Sequence, residues 1–162
     1  YSSKFLVQIV RPATVCGVSK RMRFDVSVNA LTISALENNF INVDGGSQVR
    51  PNIHIDDITD LYLFLLERKD IEGIYNAGFE NLSILEIAEK VKKITNAEIK
   101  VNKTLDPRNY RMNSDKLLSK GFIPKKNVND AILEICKSFK QKLLKNEDHF
   151  NNLKWMMKNK YE

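Results

Sequence analysis

Short runs of β-branched residues alternate with segments of helical spacing along most of the 162 residues, and this alternation limits the possible folds more than any single residue does. FLVQIV at 5–10 reads as a buried strand stopped at Arg11-Pro12, because proline removes a ladder donor. From about Phe24 to Glu37 the apolar positions Val26, Ala30, Ile33 and Leu36 recur every three or four residues, predicting a helix that ends near Asn38-Asn39. FINVDGGSQVRPNIHI places two β-favouring stretches around the turn-forming Asp44-Gly45-Gly46-Ser47, so it is a hairpin or a bent strand with a loop. Pro51 puts the second stretch at a sheet edge or makes it irregular.

Asp56 or Asp57 can cap the helix that follows. Its run ITDLYLFLLE is apolar nearly all round, which predicts packing on two sides, with Gly73 as the stop. IYNAG is a short strand, and Ser83 with Glu86 forms a capping box that opens a helix carrying Leu85, Ala88, Val91 and Ile94 up to Asn96. EIKV is another strand, the polar stretch NKTLDPRNYRMN is irregular, SDKLLSK is a short helix closed by Gly121, and a last helix begins near Val128. The order is that of an α/β domain, in which ligands meet the loops at strand ends. Residues 1–145 form its body, and 146–162 form a tail with helical spacing through Phe150, Leu153 and Met156 or Met157.

With 43% apolar residues the chain has enough length to bury a core as one domain. No run of 18 uncharged apolar residues occurs, and the opening YSSKFLVQIV lacks the basic flank and small-residue site of a secretory signal, so a soluble cytoplasmic protein without a membrane partner is expected. Cys16 and Cys136 lie far apart with only two histidines in the chain, which suggests neither a zinc site nor a disulfide, and no metal is expected. The net charge of +6 raises the question of nucleic acid. Its excess sits mainly as lysines on the last, amphipathic helices without interleaved aromatics, the pattern of a solvated face, and nucleic acid is not the expected partner. The arginines at 11, 21, 23, 50, 68, 108 and 111 fall beside strands and loops instead, where a planar fork suits a diphosphate.

Five segments carry a resemblance. RPATVCG at 11–17, RMRFDVSVNALT at 21–32, VRPNIHIDDI at 49–58, IYNAGFENLSILEIAEKV at 74–91 and DPRNYRMNSDKLLSKGF at 106–122 follow in order. Together they resemble the C-terminal part of the extended short-chain dehydrogenase/reductases, the NAD-dependent nucleotide-sugar epimerases and dehydratases. The resemblance implies the last strands of a Rossmann-type sheet plus a small α/β lobe that binds a nucleotide sugar.

By that resemblance Arg50 contacts the diphosphate, where a charge-assisted bidentate bond needs a guanidinium held on a firm strand. Arg108, in D-x-R-x-Y, is the second clamp, and Lys103 stands where relatives place a basic residue gripping the same diphosphate. Thr14, where many relatives carry asparagine, and Asn29 match positions that orient phosphate or sugar with neutral groups; Asn29 is alternatively a helix cap. Asn42, Val43 and Asp44 align with the segment that holds the nucleobase, and Pro12 with the cofactor side of the site. Arg21 and Arg23 guard the substrate loop or bridge to Asp25.

Two departures qualify the expected chemistry. The six glycines, at 17, 45, 46, 73, 78 and 121, form no G-x-x-G-x-x-G, so the glycine-rich NAD-binding half lies outside these residues and NAD binding by them alone is not expected. The family's Tyr-x-x-x-Lys pair is matched only by Tyr1 and Lys4, one residue too close. The expected function is therefore the nucleotide-sugar-binding half of an epimerase or dehydratase, not competent by itself and open to homo-oligomerisation; a non-catalytic binding or assembly module is the alternative.

Overall fold

A computed structural model describes residues 5–104, 107–144 and 147–159. It is an α/β fold with three small sheets. β1 (Gln8–Pro12) runs parallel to β5 (Gly73–Ala77), with Val10 in register with Tyr75. β4 (Val49–His54) lies between β2 (Thr14–Cys16), which is parallel to it, and β6 (Glu80–Ser83), which is antiparallel. β3 (Phe40–Asp44) pairs in parallel with β7 (Glu98–Asn102).

Helices cover these strands. α1 (Ser27–Asn38), α3 (Ile84–Thr95) and α5 (Val128–Lys140) enclose one core with β3, built on Val28, Ile41, Val43, Ile87, Val91 and Ile132. A second core joins α2 (Ile55–Glu67), β5 and the short α4 (Asp115–Leu118) through Leu61, Leu65, Ile71, Tyr75, Leu117 and Phe122. Each fully buried side chain of this size contributes about 1.5–3 kcal/mol by leaving water. α1 and α3 end where the sequence predicts, at Asn39 and Asn96, both in the left-handed conformation with φ of 58° and 61°. The capping box of Ser83 and Glu86 is also present.

Several expectations are corrected. β1 starts at Gln8 and is at most half-buried, because among the described residues it pairs only with β5 and no layer covers its outer side. β3 and β4 do not pair as a hairpin; they diverge from the 44–48 turn into different sheets. Pro51 lies in the middle strand of its sheet. It is tolerated because the β2 ladder reaches only to Asn52, leaving the proline opposite Asn81 of β6 alone. Neither aspartate caps α2: the Nδ1 of His54 accepts the Asp56 N–H at 3.0 Å. That helix ends at Glu67, before Gly73, and it packs on one side only, with Tyr62, Leu63 and Leu66 49%, 56% and 77% exposed.

Candidate functional site

Strand alternation sets the floor of a cleft of about 380 Å³. Along β3, Ile41 and Val43 point into the core while Asn42 and Asp44 face outward, and both outward residues line the cleft. The turn after Asp44 is locked by Gln48, whose amide donates to the Asp44 carbonyl at 2.6 Å and whose oxygen accepts the Gly46 N–H at 2.6 Å. Gly45 and Gly46 take φ of 75° and 112°, which side-chain-bearing residues rarely adopt. The turn thus fixes the start of β4, and with it Arg50, on the opposite wall. Asn102 of β7 donates to the Asp44 carboxylate at 3.0 Å.

The 107–114 segment closes that wall against β4. Asn109 Oδ1 accepts the Val49 N–H at 3.0 Å, and the Tyr110 N–H donates to the Val49 carbonyl at 3.4 Å. Arg50 Nη1 donates to the carbonyls of Val49, at 3.0 Å, and of Arg108, while its guanidinium carbon sits 5.6 Å from the centre of the Tyr110 ring. Arg50, Arg108 and Tyr110 all line the cleft, as does Thr14 at the start of β2. Further along, Asn81 and the backbone of Met112 exchange two bonds of 2.8 and 3.0 Å, and Ser114 Oγ binds both the N–H and the carbonyl of Gly78 at 3.0 and 2.9 Å. The segment is irregular in shape yet anchored along its length.

The rest of the rim comes from Asp25, Val26 and Ser27 at the start of α1. Arg23 forks onto Asp25 at 2.8 and 3.0 Å and so holds its carboxyl below the ordinary carboxylate range. The bridging role for Arg23 is therefore the one seen, while Arg21 reaches Asn152 instead. Ser27 Oγ is buried and has no hydrogen-bond partner among the described residues. Two guanidinium groups, the carboxylates of Asp25 and Asp44, the hydroxyls of Thr14 and Ser27 and neutral side chains surround one opening, and the paired cations suit a divided anion.

Other candidate residues lie elsewhere. Asn29 is 2% exposed and braces the loop below the cleft: its Oδ1 accepts the Gly17 N–H at 3.1 Å and its Nδ2 donates to the Arg23 carbonyl at 2.9 Å. It is not a cap, since α1 starts at Ser27 with Val26 as the cap residue. Lys103 is exposed and is not among the residues lining the cleft. Pro12 closes β1 and is exposed. Tyr1, Lys4 and Asp106 lie outside the described residues. Sequence reasoning passed over Tyr110, Gln48 and Ser27. Ser27 had a visible signal, a hydroxyl at the head of a helix, but Asn29 drew the assignment two residues on.

One buried polar group, within the segment VRPNIHIDDI, received no role from the sequence. The fully buried His54 ring places Nε2 3.2 Å from Glu134 Oε2 of α5. Since Nδ1 accepts from Asp56, the Nε2 nitrogen carries the proton and donates it. Ligand atoms of His54, Asp56 and Glu134 lie within 4.8 Å of one another, the spacing of a metal cluster. The Lys126 ammonium, however, bonds Asp56 at 2.5 Å and Glu134 at 2.6 Å. These bonds raise the lysine pKa and lower that of Asp56, so the group is a brace between α2 and α5 in which one ammonium offsets part of the charge of two carboxylates. Cys16 is equally enclosed: burial pushes its thiol up to about 12, and its sulfur donates to the Ile53 carbonyl at 3.4 Å. A larger groove, of about 680 Å³, opens between the ends of α1, α3 and α5, but its polar lining is mostly lysines and amides at helix ends.

Comparison with known proteins gives concordant results. The sequence pattern of the NAD dependent epimerase/dehydratase family matches residues 2–78. GDP-L-fucose synthase 1 of Arabidopsis thaliana is 33% identical over 93 residues, 54% of this chain and 28% of that protein. UDP-glucuronic acid 4-epimerase from Bacillus cereus, solved with UDP-glucuronic acid and NAD, superposes with a TM-score of 0.72 at 26% identity, covering 86% of this chain and 46% of that one. ADP-L-glycero-D-manno-heptose-6-epimerase of Helicobacter pylori shares the fold, with a TM-score of 0.74 at 16% identity over 86% of this chain and 46% of its own. The chain thus spans less than half the length of each of these relatives. No helix among the described residues is long and apolar enough to cross a membrane.

Proposed function

We propose that this chain, a member of the NAD dependent epimerase/dehydratase family, forms the nucleotide-sugar-binding half of an NAD-dependent epimerase or dehydratase. The observation that carries this reading is the meeting of Arg50 and Arg108, 58 residues apart in sequence, on the wall of one cleft with Thr14, Asn42 and Asp44. Arg50 and Arg108 hold the diphosphate, whose charge their guanidinium groups match. Asn42 and Asp44, outward on β3, meet the nucleoside, and Thr14 with Ser27 offers hydroxyls to the phosphates or the sugar.

The Bacillus cereus relative binds NAD, and hydride transfer is the chemistry that group supplies when bound. The residues described here do not build its site. The glycines with positive φ, at 17, 45, 46, 73 and 121, stand at four turns, Gly45 and Gly46 sharing one, and none forms a glycine-rich loop at a helix start. The contribution of this chain is to bind and orient the sugar nucleotide, and by itself it is not competent for turnover.

Calorimetric titration with UDP-glucuronic acid, UDP-glucose and GDP-L-fucose, beside a random DNA duplex, tests this. The expected result is binding of at least one nucleotide sugar, weakened about tenfold or more in Arg108→Ala, since a bond to a charged group contributes about 1.5–3 kcal/mol. Salt-dependent binding of the duplex with no response to the sugars would reject the reading.

A further inference from the structure

We propose that Phe150 and Asn152, in the C-terminal tail, are positioning residues for the cleft, which hold the Arg21–Ser27 segment as its third wall. The inference rests on the nucleotide-sugar reading for its consequence and on geometry for its substance.

After α5 the chain turns at Lys142, in the left-handed conformation with φ of 58°, and Phe139 and Leu144 pack on the cluster of Met22, Ile33 and Ile135 beneath the loop. The tail then comes back alongside the loop. The ring of Phe150, at the end of a short 3-10 turn (Asp148–Phe150), stacks on Phe24 with centroids 5.1 Å apart, and its carbonyl accepts the Phe24 N–H at 2.8 Å. At the start of α6 (Asn152–Lys158) the Asn152 N–H donates to Asp25 at 3.2 Å, and Arg21 donates to the Asn152 side chain at 2.9 Å. Arg21, Phe24 and Asp25 are therefore tied to the tail, and Arg23 to Asp25. Asp25 and the two residues after it, Val26 and Ser27, are those on the cleft rim.

A loop of seven residues has too little surface to hold one conformation by itself, and residues 21–27 bury mainly Met22 in their own body. The tail supplies the missing restraint. Without it the unpartnered Ser27 hydroxyl and the Asp25 carboxylate would sample several positions, and a substrate would have to order them on binding. The tail thus acts on affinity through the loop, not by touching the ligand.

Phe150→Ala in the full chain tests this by hydrogen–deuterium exchange and by UDP-glucuronic acid titration. The expected outcome is faster exchange, by about tenfold, confined to residues 21–27 and the tail, with affinity reduced to a similar degree and recovered in Phe150→Tyr. Unchanged exchange at 21–27, or exchange rising equally in α3 and β3, would overturn the proposal. Should the unsubstituted chain bind no nucleotide sugar, the functional reading falls, while the exchange comparison still decides whether the tail holds the loop.

Discussion

The guanidinium of Arg50 donates to the main-chain carbonyl of Arg108, so the strand that carries one cation fixes the backbone that carries the other. Two like charges are thereby held at one opening without relying on each other's side chain. The cleft and its wall are a single construction, because the same Arg50 nitrogen also reaches the carbonyl of Val49.

Arg50→Lys is predicted to weaken UDP-glucuronic acid binding by about 10–100-fold, although the charge is kept. A lysine has one nitrogen and no planar fork, so it cannot both replace Nη1 on the two carbonyls and bind a diphosphate bidentately. Calorimetry on both proteins checks it, and equal affinity would show that charge alone suffices.

Gly78→Ala should destabilise the fold by about 1–3 kcal/mol, the usual cost of forcing a methyl into a packed site. The added carbon would stand 2.6 Å from the Ala13 Cβ and 3.0 Å from the Met112 sulfur, and Ala13 is too short to turn aside. Urea denaturation measures the loss, and the double change with Ala13→Gly should recover part of it.

Alkaline pH should expose the burial of Cys16. Its thiol ionises near the model-peptide value, roughly 8.5, when unfolded, but only at about 12 in the fold. Above the lower value the unfolded state has lost the proton that the native state keeps, so stability is full below it and falls as pH rises, by up to about 1.4 kcal/mol per pH unit. Cys16→Ala should therefore lose less stability than the parent between pH 8 and 10.5, as read by urea midpoints. Parallel declines in both proteins would refute this.

Local rules recovered much of the chain. Asn39 and Asn96 end helices because asparagine tolerates the left-handed turn, and Ser83 with Glu86 opens one because the pair satisfies two otherwise unbonded N–H groups. Failures came where distant partners decide. Pro51 reads as an edge residue, yet it sits in a middle strand, since what matters is where the neighbouring ladder stops. ITDLYLFLLE reads as doubly packed because hydrophobicity tells only what a helix can bury, not what lies beside it. In the site, Arg50 and Arg108 were legible through the resemblance. The bridging of Gly17 and Arg23 by Asn29 was not legible, because an amide suited to a ligand is equally suited to bonding backbone. His54 stood within the segment VRPNIHIDDI without a role, its partner Glu134 being 80 residues away.

That β1 pairs with β5 alone among the described residues has a practical meaning for anyone handling this polypeptide. A parallel ribbon of two strands is an open template, whose outer margin offers the N–H and C=O groups of every second residue, about 6.6 Å apart. Any strand that reaches it, from another polypeptide or from a second molecule of the same kind, finds a docking rail five residues long, running from Gln8 to Pro12. Pro12 ends that rail, because a proline nitrogen has nothing to donate.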